Sequence, residues 1–92
     1  MKITVQYGAQ ARAAAGTAAE SVEVEPGCEL SGLVRLLAAR HGQPFRELML
    51  GPEAQPRLSN IAVVGEEMVR WNEPRPLRDG DVVTILSPIS GG

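Results

Sequence analysis

Leu30-Ser31-Gly32-Leu33-Val34-Arg35-Leu36-Leu37-Ala38-Ala39-Arg40-His41 is the stretch that decides the fold class. Leu30, Leu33, Val34, Leu37 and Ala38 recur at i, i+3, i+4, i+7 and i+8, which lines one side of a helix with apolar groups. Glu29 before it and Arg40 near its end suit the helix dipole; Gly42 supplies a stop and Pro44 blocks continuation. This is the one strong helix, and the longer regular stretches on either side of it read as strands.

Upstream, Lys2-Ile3-Thr4-Val5-Gln6-Tyr7 alternates polar and apolar residues, predicting a strand that Gly8 ends. Ala9–Ala19 is an Ala-rich loop with one helical turn at Ala11–Ala15. Ser21-Val22-Glu23-Val24-Glu25 alternates again until Pro26-Gly27, so the first two strands form an antiparallel hairpin. Downstream, Phe45–Leu50 predicts a short helical turn and Glu53–Arg57 a polar connection. Ile61-Ala62-Val63-Val64 is an apolar run expected to be buried on both faces. Met68-Val69-Arg70-Trp71 returns as a short edge strand, with Pro74 and Pro76 barring a central one. After the Leu77-Arg78-Asp79-Gly80 turn, Asp81-Val82-Val83-Thr84-Ile85-Leu86 is the most apolar strand and is placed mid-sheet, parallel to the first. The order β-β-α-β-β-β with one main helix predicts an α+β roll over residues 1–86, followed by a tail over 87–92.

Composition removes several functions. The 92 residues are 43% hydrophobic and 22% charged, enough for one small core and too few for two. Only Tyr7, Phe45 and Trp71 are aromatic, so Val, Leu, Ile and Ala must fill that core. Nine basic and eleven acidic residues give a net charge of −2, which does not suggest the basic face needed to grip nucleic acid or an anionic membrane. With no apolar run long enough for a leader or a span, and a single cysteine, a reducing cytoplasm is the expected compartment.

The reactive side chains form no constellation. His41 is the sole histidine and is expected at the surface of a helix C-terminus, where a cation is mildly favoured. Cys28 precedes the helix, whose dipole would lower a thiol pKa, but Glu25 and Glu29 oppose that and a structural role is expected. Asp79-Gly80-Asp81 has too few oxygens for a calcium loop and reads as a turn. Glu66-Glu67 reads as a solvated turn. No catalytic residue and no bound cofactor or metal are expected.

The C-terminus is different. Two terminal glycines arise by chance in about 0.5% of chains at about 7% glycine per position. Gly91-Gly92 is a thread without Cβ atoms that ends in a carboxylate, able to enter a narrow tunnel. Such a carboxylate can attack the α-phosphate of ATP to give an acyl-adenylate, which a sulfur nucleophile converts to a thiocarboxylate. A frayed terminus without function is the competing reading.

The run Leu77-Arg78-Asp79-Gly80-Asp81-Val82-Val83-Thr84-Ile85-Leu86-Ser87-Pro88-Ile89-Ser90-Gly91-Gly92 resembles the C-terminal signature of the MoaD/ThiS family of ubiquitin-like β-grasp sulfur carriers. The family pattern L-x-D-G-D-x-V-x-x-h-x-P-h-[SA]-G-G, with h apolar, is matched throughout. Ile61–Val69 is similar to the family's V-x-V-N-G-E-x-V hairpin, with Val64 in place of the usual Asn before Gly65. The resemblance implies a carrier and not a catalyst. A ubiquitin-activating-enzyme-like adenylyltransferase would use ATP to adenylate Gly92, and a sulfurtransferase or persulfide would supply the sulfur. A biosynthetic enzyme would then accept it. Gly91 and Ser90 would thread the partner's active site, while Leu86, Pro88 and Ile89 would form the apolar approach, or, for Leu86, simply finish the sheet. With Gly92 terminal, no maturing protease is expected. Within the family, Asn60-Ile61, Val69-Arg70 and Val83–Leu86 are most similar to CysO, the carrier of a cysteine-synthase route. A permanent small subunit of molybdopterin synthase, a protein modifier joined to lysines and an inert interaction module are the alternatives.

Overall fold

The computed structural model describes residues 1–87. Strand β1 (Lys2–Ala9) leads through helix α1 (Gln10–Ala15) into β2 (Ala19–Glu23); α2 (Leu30–His41) and α3 (Phe45–Met49) follow, then β3 (Ile61–Val64), β4 (Glu67–Val69) and β5 (Val82–Ser87). The five strands form one mixed sheet in the order β2-β1-β5-β3-β4. β1 and β5 are parallel, from Thr4↔Val82 to Ala9↔Ser87, and the other pairs are antiparallel. The α+β roll, the first hairpin, the central last strand and the edge strand stand as expected.

One face of the sheet is covered. Ile3, Val5 and Tyr7 of β1, Val22 of β2, Ala62 and Val64 of β3, Val69 of β4, and Val83 and Ile85 of β5 are buried on it. Against them lie Leu30, Leu33, Val34, Leu37 and Ala38, the apolar stripe of α2, joined by Ala11, Phe45 and Met49 from the shorter helices. Each fully buried Val, Leu, Ile or Phe contributes about 1.5–3 kcal/mol, so this layer supplies most of the folding energy. α2 ends at Gly42, whose φ of 70° a side chain would strain.

Several local expectations are corrected. Gly8 does not end β1: the Leu86 side chain of β5 lies where its Cβ would be, so glycine is what the sheet admits there. The chain turns at Ala9 instead, with φ 54°. β2 starts earlier than expected because Glu20 points toward the covered face, where an alternation pattern demands an apolar residue. Past Glu23 the ladder stops because β1 has run out, although Val24 still donates its N–H to Met1 O at 2.8 Å. β3 is not buried on both faces: Ala62 and Val64 are inside, while Ile61 and Val63 sit half-exposed on the opposite face, which no helix covers. The β3–β4 turn needs a positive φ only at Gly65 (64°), so Val64 in place of Asn costs nothing. β4 is shorter than expected, and Trp71 leaves it to bury its ring. Ser87, expected to open the tail, is the last residue of β5 and is fully buried.

His41 is also corrected. It is not a lone surface cation but part of a half-buried cluster that ties the end of α2 to the sheet. Tyr7 donates its hydroxyl to Glu20 Oε2 at 2.5 Å, His41 Nε2 lies 2.5 Å from the same oxygen, and Arg40 Nε is 3.4 Å from Oε1. The rings of Tyr7, His41 and Phe45 pack edgewise or tilted, with centroids 5.1 to 5.9 Å apart. Burial pushes the Glu20 carboxyl up, but hydrogen bonds from Tyr7 and His41 and the charges of His41 and Arg40 outweigh it and hold the group below its ordinary value of 4.5. Burial, the hydrogen bond to Glu20 and its charge push the Tyr7 phenol up, so it stays a donor throughout the working range. A depressed carboxylate contributes stability that is complete above its unfolded pKa and fades as pH falls through the folded one. Tyr7→Phe should therefore cost about 1.5–3 kcal/mol near neutral pH, since the lost hydrogen bond is to a charged group. In urea denaturation the gap to the parent protein should narrow as pH falls below 4.5; a gap independent of pH would show that Glu20 is not the titrating partner.

Candidate functional site

Three parts of the chain meet at Ser87, the last described residue of β5. Ser87 closes β5 on the covered face, and its hydroxyl donates to Asn60 Oδ1 at 2.5 Å. Asn60 immediately precedes β3; its Nδ2 donates to the Leu48 carbonyl at 3.0 Å, and its own carbonyl accepts from Trp71 Nε1 at 2.9 Å. Both polar side chains are buried and satisfied. Breaking such a pair leaves a buried donor or acceptor unmatched, at about 1–3 kcal/mol, so Ser87 is a fixed point.

Leu86, one residue earlier, points to the uncovered face. Its Cα register partners are Gly8 on one side and Ile61 on the other. With no Cβ at Gly8, the leucine side chain leans across the neighbouring strand. Val63 lies opposite both Thr84 and Met68, which extends the apolar strip to the sheet edge. Met68 is 72% exposed, and Leu58, at 63%, borders a hollow of about 280 Å³ together with Ile61, Met68 and Trp71. Leu86 thus completes the ladder, as one of its two expected readings has it, and leaves a partly exposed apolar side chain on the open face.

The remaining candidates fall elsewhere. Pro88, Ile89, Ser90, Gly91 and Gly92 lie outside the described residues. Cys28 is half-buried and its Sγ is 3.4 Å from the Glu29 carbonyl; burial and the Glu29 charge push the thiol up, away from the nucleophilic thiolate. Asp79 accepts from the Lys2 backbone N–H at 2.7 Å and Asp81 from that of Arg78 at 2.8 Å, so both serve the turn into β5. Glu67 pairs with Arg75 while Glu66 faces solvent. Among the described residues no cluster of three His, Cys, Asp or Glu is placed to hold a metal, and no helix is long and apolar enough to cross a membrane.

Sequence reasoning missed Asn60 as the partner of Ser87, and missed Ile61, Val63 and Met68 as an exposed strip. The signal for the strip was present: β3 pairs with a strand that follows a one-helix crossover, and one helix layer covers one face. Nothing in the one-dimensional pattern places Asn60 against Ser87, 27 residues away.

Comparison with known proteins agrees with this architecture. Residues 5–92 match the ThiS family. The molybdopterin synthase sulfur carrier subunit of Chlamydomonas reinhardtii is 29% identical over the full length of both chains. A putative molybdopterin converting factor subunit 1 from Pyrococcus furiosus superposes with a TM-score of 0.71 at 29% identity, covering 97% of this chain and 99% of that one. CysO of Amycolatopsis orientalis, solved in complex with BexX, gives 0.66 at 26% identity over 98% and 99%. With the diglycine signature, the mixed β2-β1-β5-β3-β4 sheet over one main helix and a family match across residues 5–92, the chain belongs to the ThiS family of ubiquitin-like sulfur carriers.

Proposed function

We propose that this protein is a co-substrate whose Gly92 carboxyl is adenylated and then converted to a thiocarboxylate that donates sulfur to a biosynthetic enzyme. The observation that carries the reading is the clamp on Ser87 beside an exposed apolar strip, five residues before a diglycine end. A rigid body that grips the base of a narrow thread suits delivery into another protein's active site better than chemistry of its own. ATP belongs to the activating enzyme, and sulfur comes from a sulfurtransferase or persulfide. The carboxylate attacks the α-phosphate of ATP and pyrophosphate leaves. A persulfide's outer sulfur then attacks the carbonyl and AMP leaves, giving an acyl disulfide; a second thiol of the donor attacks the donor's own sulfur, so that a donor disulfide forms, the S–S bond to the acyl group breaks and the sulfur stays on Gly92 as the thiocarboxylate.

Gly91 and Ser90 would lie within the partner's channel, with Pro88 and Ile89 at its mouth. Leu86, Ile61, Val63 and Met68 would meet the partner's surface. Two pathways have support. The full-length likeness to the Chlamydomonas reinhardtii subunit favours molybdopterin synthase, with this chain as its small subunit. The likeness to the Amycolatopsis orientalis carrier favours a route in which one carrier serves cysteine or other sulfur-metabolite synthesis. Tight co-purification with a larger subunit would distinguish the first, since permanent interfaces are larger and more apolar than transient ones.

The test is the intact mass of the protein from its own host, with and without a thiol-alkylating reagent. A fraction heavier by one sulfur-for-oxygen exchange, still alkylated in Cys28→Ser, is expected. A single unmodified mass after incubation with ATP, a sulfur source and the host's activating enzymes would overturn the reading. Gly92→Ala should fold like the parent, yet be adenylated more slowly because its methyl group meets the channel wall; equal rates would remove the steric argument. Met68→Asp should leave stability within about 0.5 kcal/mol, as exposed substitutions do, while weakening binding to the activating or accepting enzyme by about tenfold or more, the loss of one apolar hot spot. Unchanged affinity in isothermal titration would show that the partner does not use the open face.

A further inference from the structure

Two hollows lie side by side where β4 runs out and the loop before β3 arrives. The larger, of about 550 Å³, has Gln55, Pro56, Arg57 and Ser59 in its walls; the smaller, of about 280 Å³, has Ile61, Met68 and Arg70. Leu58, Trp71 and Asn72 line both, so the hollows adjoin. The Trp71 ring is buried and held by its N–H bond to the Asn60 carbonyl, whereas Leu58 is 63% exposed and Met68 72%. Two large apolar side chains left in water beside apolar hollows mark a contact surface. Among the described residues, each hollow has one arginine in its wall and neither has a carboxylate. Arg57 donates its Nε–H to the Glu47 carbonyl at 2.9 Å, which fixes the base of its guanidinium, and makes no ion pair among the described residues. Arg70 has a loose partner: its Nε is 3.9 Å from Glu73, and both side chains are mostly exposed, a pairing that contributes little. Glu23, Glu66, Asp79 and Asp81 gather at the other end of the sheet, where β2 stops and β5 begins. A chain of net charge −2 therefore presents its hollows within a cationic rim.

We propose that these hollows receive an extended, acidic segment of a partner protein, with Leu58 as the ridge between two of its apolar side chains. An extended chain turns alternate side chains to one side at a spacing of about 6.5 Å, so residues two apart can enter adjoining hollows. Carboxylates beside them meet Arg57 at one hollow and Arg70 at the other, where a guanidinium fork matches a carboxylate and the loose bond to Glu73 gives way. A small anion would use an arginine and leave the apolar walls wet; a purely apolar ligand would leave both guanidinium groups without a partner. Asn60, which binds Ser87, also lines the smaller hollow, so the segment lies beside the end of β5. The inference concerns what the body recognises and holds whether or not the chain carries sulfur.

The probe is an acetylated and amidated peptide, Asp-Leu-Glu-Phe-Asp, added to the full chain. Trp71 lines both hollows and is the sole tryptophan, so its emission reads occupancy directly, and backbone amide shifts in NMR locate the contact. Emission should change saturably, with a Kd tighter than about 1 mM, and the largest shifts should fall on Arg57, Leu58 and Arg70. Raising the ionic strength from about 0.01 to 0.15 M should weaken binding several-fold, because the screening length falls from about 30 to about 8 Å. Leu58→Ser should weaken it about tenfold and Arg70→Glu several-fold. Both positions are exposed, so both variants should keep the parent's circular dichroism and melting temperature. Arg78→Glu, exposed at the other end of the sheet, should bind like the parent. The analogue Lys-Leu-Lys-Phe-Lys should not bind measurably. No response to the acidic peptide, an equal response to the lysine analogue, or largest shifts on other residues would overturn the proposal. So would unchanged affinity in Leu58→Ser or Arg70→Glu, or an Arg78→Glu loss as large as that of Arg70→Glu.

Discussion

The parallel pairing of β1 with β5 is the constraint on which the rest of the structure depends. It joins residues 4–9 to 82–87, so nearly the whole chain must close as a loop before the pair can form. Closing a loop of that length costs about 4 kcal/mol beyond a constant term. Ile3, Val5, Val83 and Ile85, all fully buried on the two strands, offset it at about 1.5–3 kcal/mol each. A parallel neighbour also forbids a hairpin between the two strands, so the chain between them has to cross a face of the sheet at least once. α2 does that crossing, and the face it does not cross stays open.

The open face and the clamped exit are two results of this one arrangement. Residues alternate along β5, so Ile85 and Ser87 turn inward while Leu86 turns outward between Gly8 and Ile61. The inward serine would be an unsatisfied hydroxyl in an apolar layer without Asn60, which also orders the loop leading from α3 through its bond to Leu48. The same two-residue period that fixes the last strand's base therefore also sets an apolar side chain facing solvent beside it. Polar and apolar roles are separated by a single step along the chain.

How much of this was legible depended on how far apart the interacting residues are. α2 was readable to its boundaries because its stripe is local, and Gly42 and Pro44 punctuate it. The edge position of β4 followed from Pro74 and Pro76, and the central position of β5 from its Val and Ile content. Gly8 misled, because a glycine inside a strand looks like a breaker until the neighbouring strand's Leu86 is known. Glu20 misled in the same way: it disguised the first half of β2, since its inward position is sensible only once Tyr7, Arg40 and His41 surround it. Ile61–Val64 read as doubly buried because composition reports hydrophobicity and not which layer is missing. The diglycine stands out in the sequence by its composition, but the Asn60–Ser87 bond does not, since those two residues meet only in three dimensions.

The central place of β5 also has a mechanical consequence. A pull on the C-terminal end acts along the strand, which is held by β1 on one side and β3 on the other. The backbone hydrogen bonds to both neighbours lie across that direction, so they are loaded together in shear and not peeled one after another. Threading machinery that grasps the tail and pulls meets the fold at its strongest point. A partner that only bound that end would exert no such force, and the sheet would stay intact.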